Sequence, residues 1–110
     1  MEALQQKEGD RLTLAISGKC TVEHAGALRQ ALLHAVAAGG DLDLDVSGVD
    51  EVDVTFLQLV LATALSLSRE RRLLGRRGAL SEACLQAARV SGFDQTPQLK
   101  PFFADGDHDG

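Results

Sequence analysis

The sequence predicts an α/β fold: a small mixed, mostly parallel sheet with packed helices. Three observations predict it. Leu12–Ile16 and Leu42–Val46 alternate apolar and polar residues with the two-residue period of a strand. Each is followed by an apolar stretch with helical spacing and a residue suited to cap it. A weaker strand signal at Leu73-Leu74 and a third capped helix then continue the alternation, which implies parallel strands joined by right-handed crossovers.

Met1–Asp10 is polar and weakly patterned, either a frayed end or a short edge strand. The first clear strand places Leu12, Leu14 and Ile16 on one face and ends at Gly18. Thr21 caps the next helix, with Glu23 in its first turn, where the helix dipole favours negative charge. Val22, Ala25, Leu28, Leu32 and Val36 form its inward stripe, and Gly39-Gly40 supplies the left-handed stop. In the second strand Leu42, Leu44 and Val46 face the core while Asp41, Asp43 and Asp45 face solvent; Ser47-Gly48 ends it. Asp53 caps a helix running to about Ser68 by accepting from the amides of Thr55 and Phe56. Apolar residues from Phe56 to Leu67 cover most of that helix, which predicts deep burial. Arg69–Arg77 is basic, a loop with a short strand. Ser81 caps the third helix, with Leu85 and Ala88 inward and Gly92-Phe93 closing it in a Schellman arrangement. Pro97 and Pro101 mark the end of regular structure, ahead of a flexible acidic tail over residues 105–110.

Composition bounds the function. A chain of 110 residues, 45% hydrophobic and 25% charged, suits one globular domain with its own core. With no Trp or Tyr and four Phe, that core is mainly Leu, Val, Ile and Ala. A net charge of −5 weighs against general nucleic-acid binding, which depends on excess Lys and Arg. The polar N-terminus has no secretory pattern, Val54–Leu67 is too short to span a bilayer, and Cys20 and Cys84 match no ligand spacing, so a cytoplasmic protein with two reduced cysteines is expected.

The motifs of common chemistries are missing. Asp41-x-Asp43-x-Asp45 opens like a calcium loop, but Val46 stands at the turn glycine and Val52 at the bidentate glutamate. His24, His34 and His108 do not have zincin spacing, so no metal site is expected. There is no glycine-rich phosphate loop and no nucleophile elbow, so neither an enzyme nor a cofactor is expected. The arginines at 69, 71, 72, 76 and 77 suit a solvated turn better than a grip on an acidic partner. What remains is the junction Asp53-Val54-Thr55-Phe56-Leu57. A hydroxyl in the first turn of a helix sits beside free amides, and a phosphate there meets the helix dipole.

At these residues the chain resembles the STAS domain, the family of sulphate transporters and anti-sigma-factor antagonists. The resemblance spans about residues 10–104. It rests on Ile16-Ser17-Gly18 with Thr21–Ala25, on Asp45–Val49, on Val52–Leu59, and on Leu80–Ala83 with Gly92-Phe93-Asp94. It implies a STAS-like domain over residues 1–104. Antagonists of the family carry Asp-Ser-Ser/Thr-Gly-Leu, whose first hydroxyl a kinase-like anti-sigma factor phosphorylates. Here Asp53 matches the aspartate, Val54 replaces that phosphoacceptor, Thr55 holds the next hydroxyl position and Phe56 replaces the glycine. The resemblance thus implies a regulatory protein-interaction module of bacterial signalling, docking an anti-sigma factor or a chemotaxis-type protein. The expected partner surface is Asp53, Val54, Thr55, Phe56 and Gln58, with Thr55 the candidate phosphoacceptor. The alternative is a small regulatory subunit of an ABC-type membrane transport complex.

Overall fold

The computed structural model describes residues 1–104; the expected acidic tail at 105–110 lies outside the described residues. Four strands form one sheet in the order β1 (Glu2–Glu8), β2 (Arg11–Cys20), β3 (Asp41–Val52), β4 (Leu74–Arg76). β1 pairs antiparallel with β2, while β2/β3 and β3/β4 are parallel. The parallel pairs need crossovers, and α1 (Ala25–Ala37) and α2 (Val54–Arg69) supply them. They pack against each other, α1 over β1 and β2, α2 over β3 and β4. α3 (Glu82–Ser91) and the short α4 (Lys100–Phe103) follow among the described residues.

The alternating segments form strands because one face of each is covered. Leu12, Leu14 and Ile16 of β2 and Leu42, Leu44 and Val46 of β3 are at most 4% exposed. Both strands outrun their patterns. β2 continues through Gly18 to Cys20, and β3 through Ser47-Gly48 to Val52. Two register shifts explain the extension. Ala15 pairs with Asp45 but Ser17 with Gly48, and Gly18 with Val49 but Lys19 with Glu51, so β3 accommodates an extra residue at each place. Each extra residue switches which parity faces inward, and this is how Val49 comes to be 3% exposed. Of the two forms open to Met1–Asp10, the structure takes the edge strand, Glu2–Glu8, followed by a turn at Gly9-Asp10.

Other boundaries move for local reasons. Thr21 makes no side-chain cap bond; a 3-10 turn at Val22–His24 precedes α1, and Val22 leaves the expected stripe at 64% exposed. α2 is not buried all round: Val54, Gln58, Ala62 and Ser66 form an exposed i, i+4 stripe. In α3, Cys84 and Ala88 are the buried residues, and Leu85 is half-buried. Gly92, at φ 82, closes α3 with its amide on the Ala88 carbonyl at 2.9 Å, the single-bond left-handed cap.

The largest departures concern charge and proline. Asp43 does not face solvent: at 7% exposed it accepts from Arg11 Nε and Nη2 at 2.8 and 3.0 Å, a bidentate pair across the sheet. That hydrogen bond is the main reason the Arg11 guanidinium holds its proton more firmly than usual. Asp41 accepts from the Leu73 amide, and Asp45 from the Ser47 amide and hydroxyl, so the three carboxylates are committed to protein donors. Two arginines of the basic segment are structural. Arg72 holds the carbonyls of Val36 in the last turn of α1 and of Gly40 just beyond it, and Arg76 holds those of Phe102 and Ala104. Pro97 and Pro101 do not end regular structure. They open a 3-10 turn and α4, positions where the missing amide proton is no loss, and this segment buries Leu99 and Phe102 completely.

Gly40 occupies a point no other residue fits. Its φ is 80°, and a Cβ there would stand 2.5 Å from the Asp10 carbonyl oxygen. Gly40→Ala should lower the free energy of unfolding by about 1–3 kcal/mol, measured by urea denaturation. An unchanged midpoint would contradict this close approach.

Candidate functional site

β2 and β3 run side by side to the same end, where Cys20 pairs with Val52. Past that end the chain turns into the 3-10 segment before α1 and into the first turn of α2, so residues far apart in sequence meet there. Asp53 joins them. Its backbone is extended, its Oδ1 accepts from the Thr55 amide at 3.0 Å, and its Oδ2 accepts from the Val22 amide at 2.9 Å. The Phe56 amide, expected on the same carboxylate, donates instead to the Asp53 main-chain carbonyl at 3.2 Å. One side chain therefore caps α2 and ties it to the approach to α1. Asp53→Ala should cost about 1–3 kcal/mol, since it removes both bonds. Asp53→Asn keeps an oxygen for the Thr55 amide and should cost less. Thermal unfolding of the two variants checks this, and equal melting of both with the parent would contradict the tie.

The expected site residues do not all share a surface. Val54, at the first position of α2, is 49% exposed, and Gln58 lies exposed one turn further on. Thr55 and Asp53 are half-buried. Phe56 points the other way: at 1% exposed it is part of the core, and its contribution is to seat α2. Val22, which sequence reasoning placed inward, joins the surface, because its amide is held by Asp53 while its side chain is 64% exposed. The junction thus exposes two valines, Val54 next to Asp53 in the chain and Val22, whose amide is one of the two that satisfy the Asp53 carboxylate. Nothing in the sequence marks Val22; only the parallel register brings it there.

Among the described residues there is no cluster of three or more His, Cys, Asp or Glu placed to hold a metal. Cys20 and Cys84 are free and buried. Burial pushes the Cys20 thiol up to about 11, so it is neutral and unreactive at physiological pH. A concavity of about 1030 Å³ has Leu80, Leu85, Arg89, Lys100 and Phe103 in its walls and shares no lining residue with the first turn of α2. No helix of the described residues is long and apolar enough to cross a membrane.

A family model described as Mlab, STAS domain, matches residues 3–101. The chain belongs to the STAS domain family. Solved structures of the family agree on the fold. An anti-sigma factor antagonist from Mycobacterium paratuberculosis is 23% identical, with a TM-score of 0.72 over 96% of this chain and 88% of its own. The anti-sigma factor antagonist SpoIIAA in its unphosphorylated form is 11% identical, with a TM-score of 0.66 over 94% of this chain and 88% of its own. None of the curated protein sequences matches this chain. In this fold the Asp53–Leu57 junction is the start of α2, with Asp53 at its cap and Val54 at its first position.

Proposed function

We propose that this STAS protein is a non-enzymatic regulatory interaction module of bacterial signalling, which docks a kinase-like anti-sigma factor or a similar regulatory protein through the first turn of α2. The observation that carries the reading is Val54. It stands half-exposed at the family's acceptor position, beside a cap that fixes its direction. An apolar contact at the head of a rigid helix suits a partner pocket, and the neighbouring Val22 enlarges it. Val54 has no oxygen to phosphorylate, so docking here is independent of the usual switch. Thr55, half-buried in the first turn, is the one hydroxyl left at the junction and therefore the candidate acceptor.

Incubation with the anti-sigma kinase and ATP, followed by mass-spectrometric mapping, tests this. The expected result is a stable complex whose affinity does not change with ATP and no phosphate on the protein. ATP-dependent release with phosphate on Thr55 would restore the conventional switch at a shifted position. A second reading draws on the family's transport-linked members: a small cytoplasmic regulatory subunit of an ABC-type membrane complex. Copurification with a transport ATPase in place of a kinase would select it.

A further inference from the structure

β1 is an edge strand. Among the described residues Glu2–Glu8 pairs with β2 on one side and with no strand on the other, leaving a row of outward amides and carbonyls. Its side chains are exposed except for a half-buried Ala3, and Leu4, at 72%, is the most exposed leucine of the described residues. Leu4 lies beside Ala15 of β2 on the sheet face away from α1 and α2. We infer that this edge pairs with a second copy of the chain, β1 against β1 antiparallel, centred on Leu4, to make one continuous eight-stranded sheet.

The register follows from elementary constraints. Residues directly opposite in a sheet point to the same face, and a two-fold axis gives both copies the same facing. Pairing must therefore join residues of like parity and place some residue opposite itself. Centring on Gln5 sets Glu2 against Glu8, a like-charge pair. Centring on Gln6 uses only Leu4–Glu8 and sets Leu4 against a carboxylate; centring on Ala3 uses only Met1–Gln5. Centring on Leu4 pairs Met1 with Lys7, Glu2 with Gln6 and Ala3 with Gln5; it opposes no two charged side chains, and its like charges, the Met1 amino group and Lys7, meet only at the two ends of the joint. It also closes Leu4 onto its own copy. An apolar strip then crosses the joint from Ala15 through both leucines to the other Ala15. β2 lies between this edge and β3, so the pairing uses a surface separate from the first turn of α2 and does not depend on the docking reading.

Sedimentation equilibrium of the full chain over a wide concentration range tests the inference. The mass should rise from 11.7 kDa toward twice that value. Leu4→Lys, which sets two ammonium groups against each other at an exposed position, should weaken association about tenfold or more, with an unchanged circular dichroism spectrum. Under mild oxidation Leu4→Cys should give a covalent dimer, while Lys7→Cys, whose two copies lie far apart in this register, should not. A chain that stays monomeric at every concentration overturns the inference. A dimer indifferent to Leu4→Lys, or cross-linking that favours position 7, overturns it as well.

Discussion

Phe56→Ala should destabilise the protein by about 3–5 kcal/mol, a large share of the stability of a domain this size. Phe56 is 1% exposed and among the largest fully buried side chains, between the first turn of α2 and the sheet it covers. Truncation forfeits the transfer free energy of the ring and leaves a cavity that neighbours on a strand and a capped helix cannot readily close. The effect on partner binding should follow from this loss alone. At temperatures where the variant is still folded, its affinity for a partner should stay within a few-fold of the parent's. Urea denaturation with a parallel binding titration separates the two readings. A stable variant with lost affinity would mean that Phe56 reaches the partner after all.

Phe102→Ala should cost about the same, about 3–5 kcal/mol, although the residue sits only two positions before the end of the described chain. Its side chain is fully buried, its ring meets Phe103 edge-on at 4.9 Å between centroids, and its carbonyl is held by Arg76 at 2.7 Å. Leu99, one turn earlier, is equally buried. This segment completes the core on the side of α2 and β4. Calorimetric unfolding of Phe102→Ala beside Phe103→Ala, whose ring is only half-buried, should show the larger loss for Phe102. Equal, small losses would make the segment an appendage.

These two phenylalanines show where sequence reasoning stopped. Strand and helix signals that rest on periodicity were legible: Leu12–Ile16, Leu42–Val46 and the caps at Asp53 and Ser81 all form as the residues imply. Signals that depend on a neighbour's position were not. Ser47-Gly48 reads as a strand end, because a bulge breaks the alternation that identifies a strand. Asp43 reads as solvent-facing, because its partner Arg11 lies 32 residues away. Pro97 and Pro101 read as terminators, although proline at the start of a helical turn is at home.

The site divides in the same way. The Asp53 cap could be read from the chain, since its partner amide is two residues on. That Phe56, expected both in the buried helix and on the partner surface, belongs to the core alone, while Val22 turns outward, could not. Helical spacing fixes which residues share a face, but not which face meets the sheet. The resemblance to the STAS family located the junction. The structure sorted its residues into those that hold the helix and those that meet solvent.

The most direct test of the account is the affinity of a cognate anti-sigma factor for Val54→Asp, measured by calorimetry beside the parent and Val90→Asp. Val54 and Val90 are both exposed, at 49% and 80%, so neither change should shift the melting temperature much, while only Val54 lies at the head of α2. Docking through the head of α2 predicts a loss of about tenfold or more, about 1.4 kcal/mol, for Val54→Asp and none for Val90→Asp. Undiminished binding by a folded Val54→Asp would contradict it and move the docking surface elsewhere on the molecule.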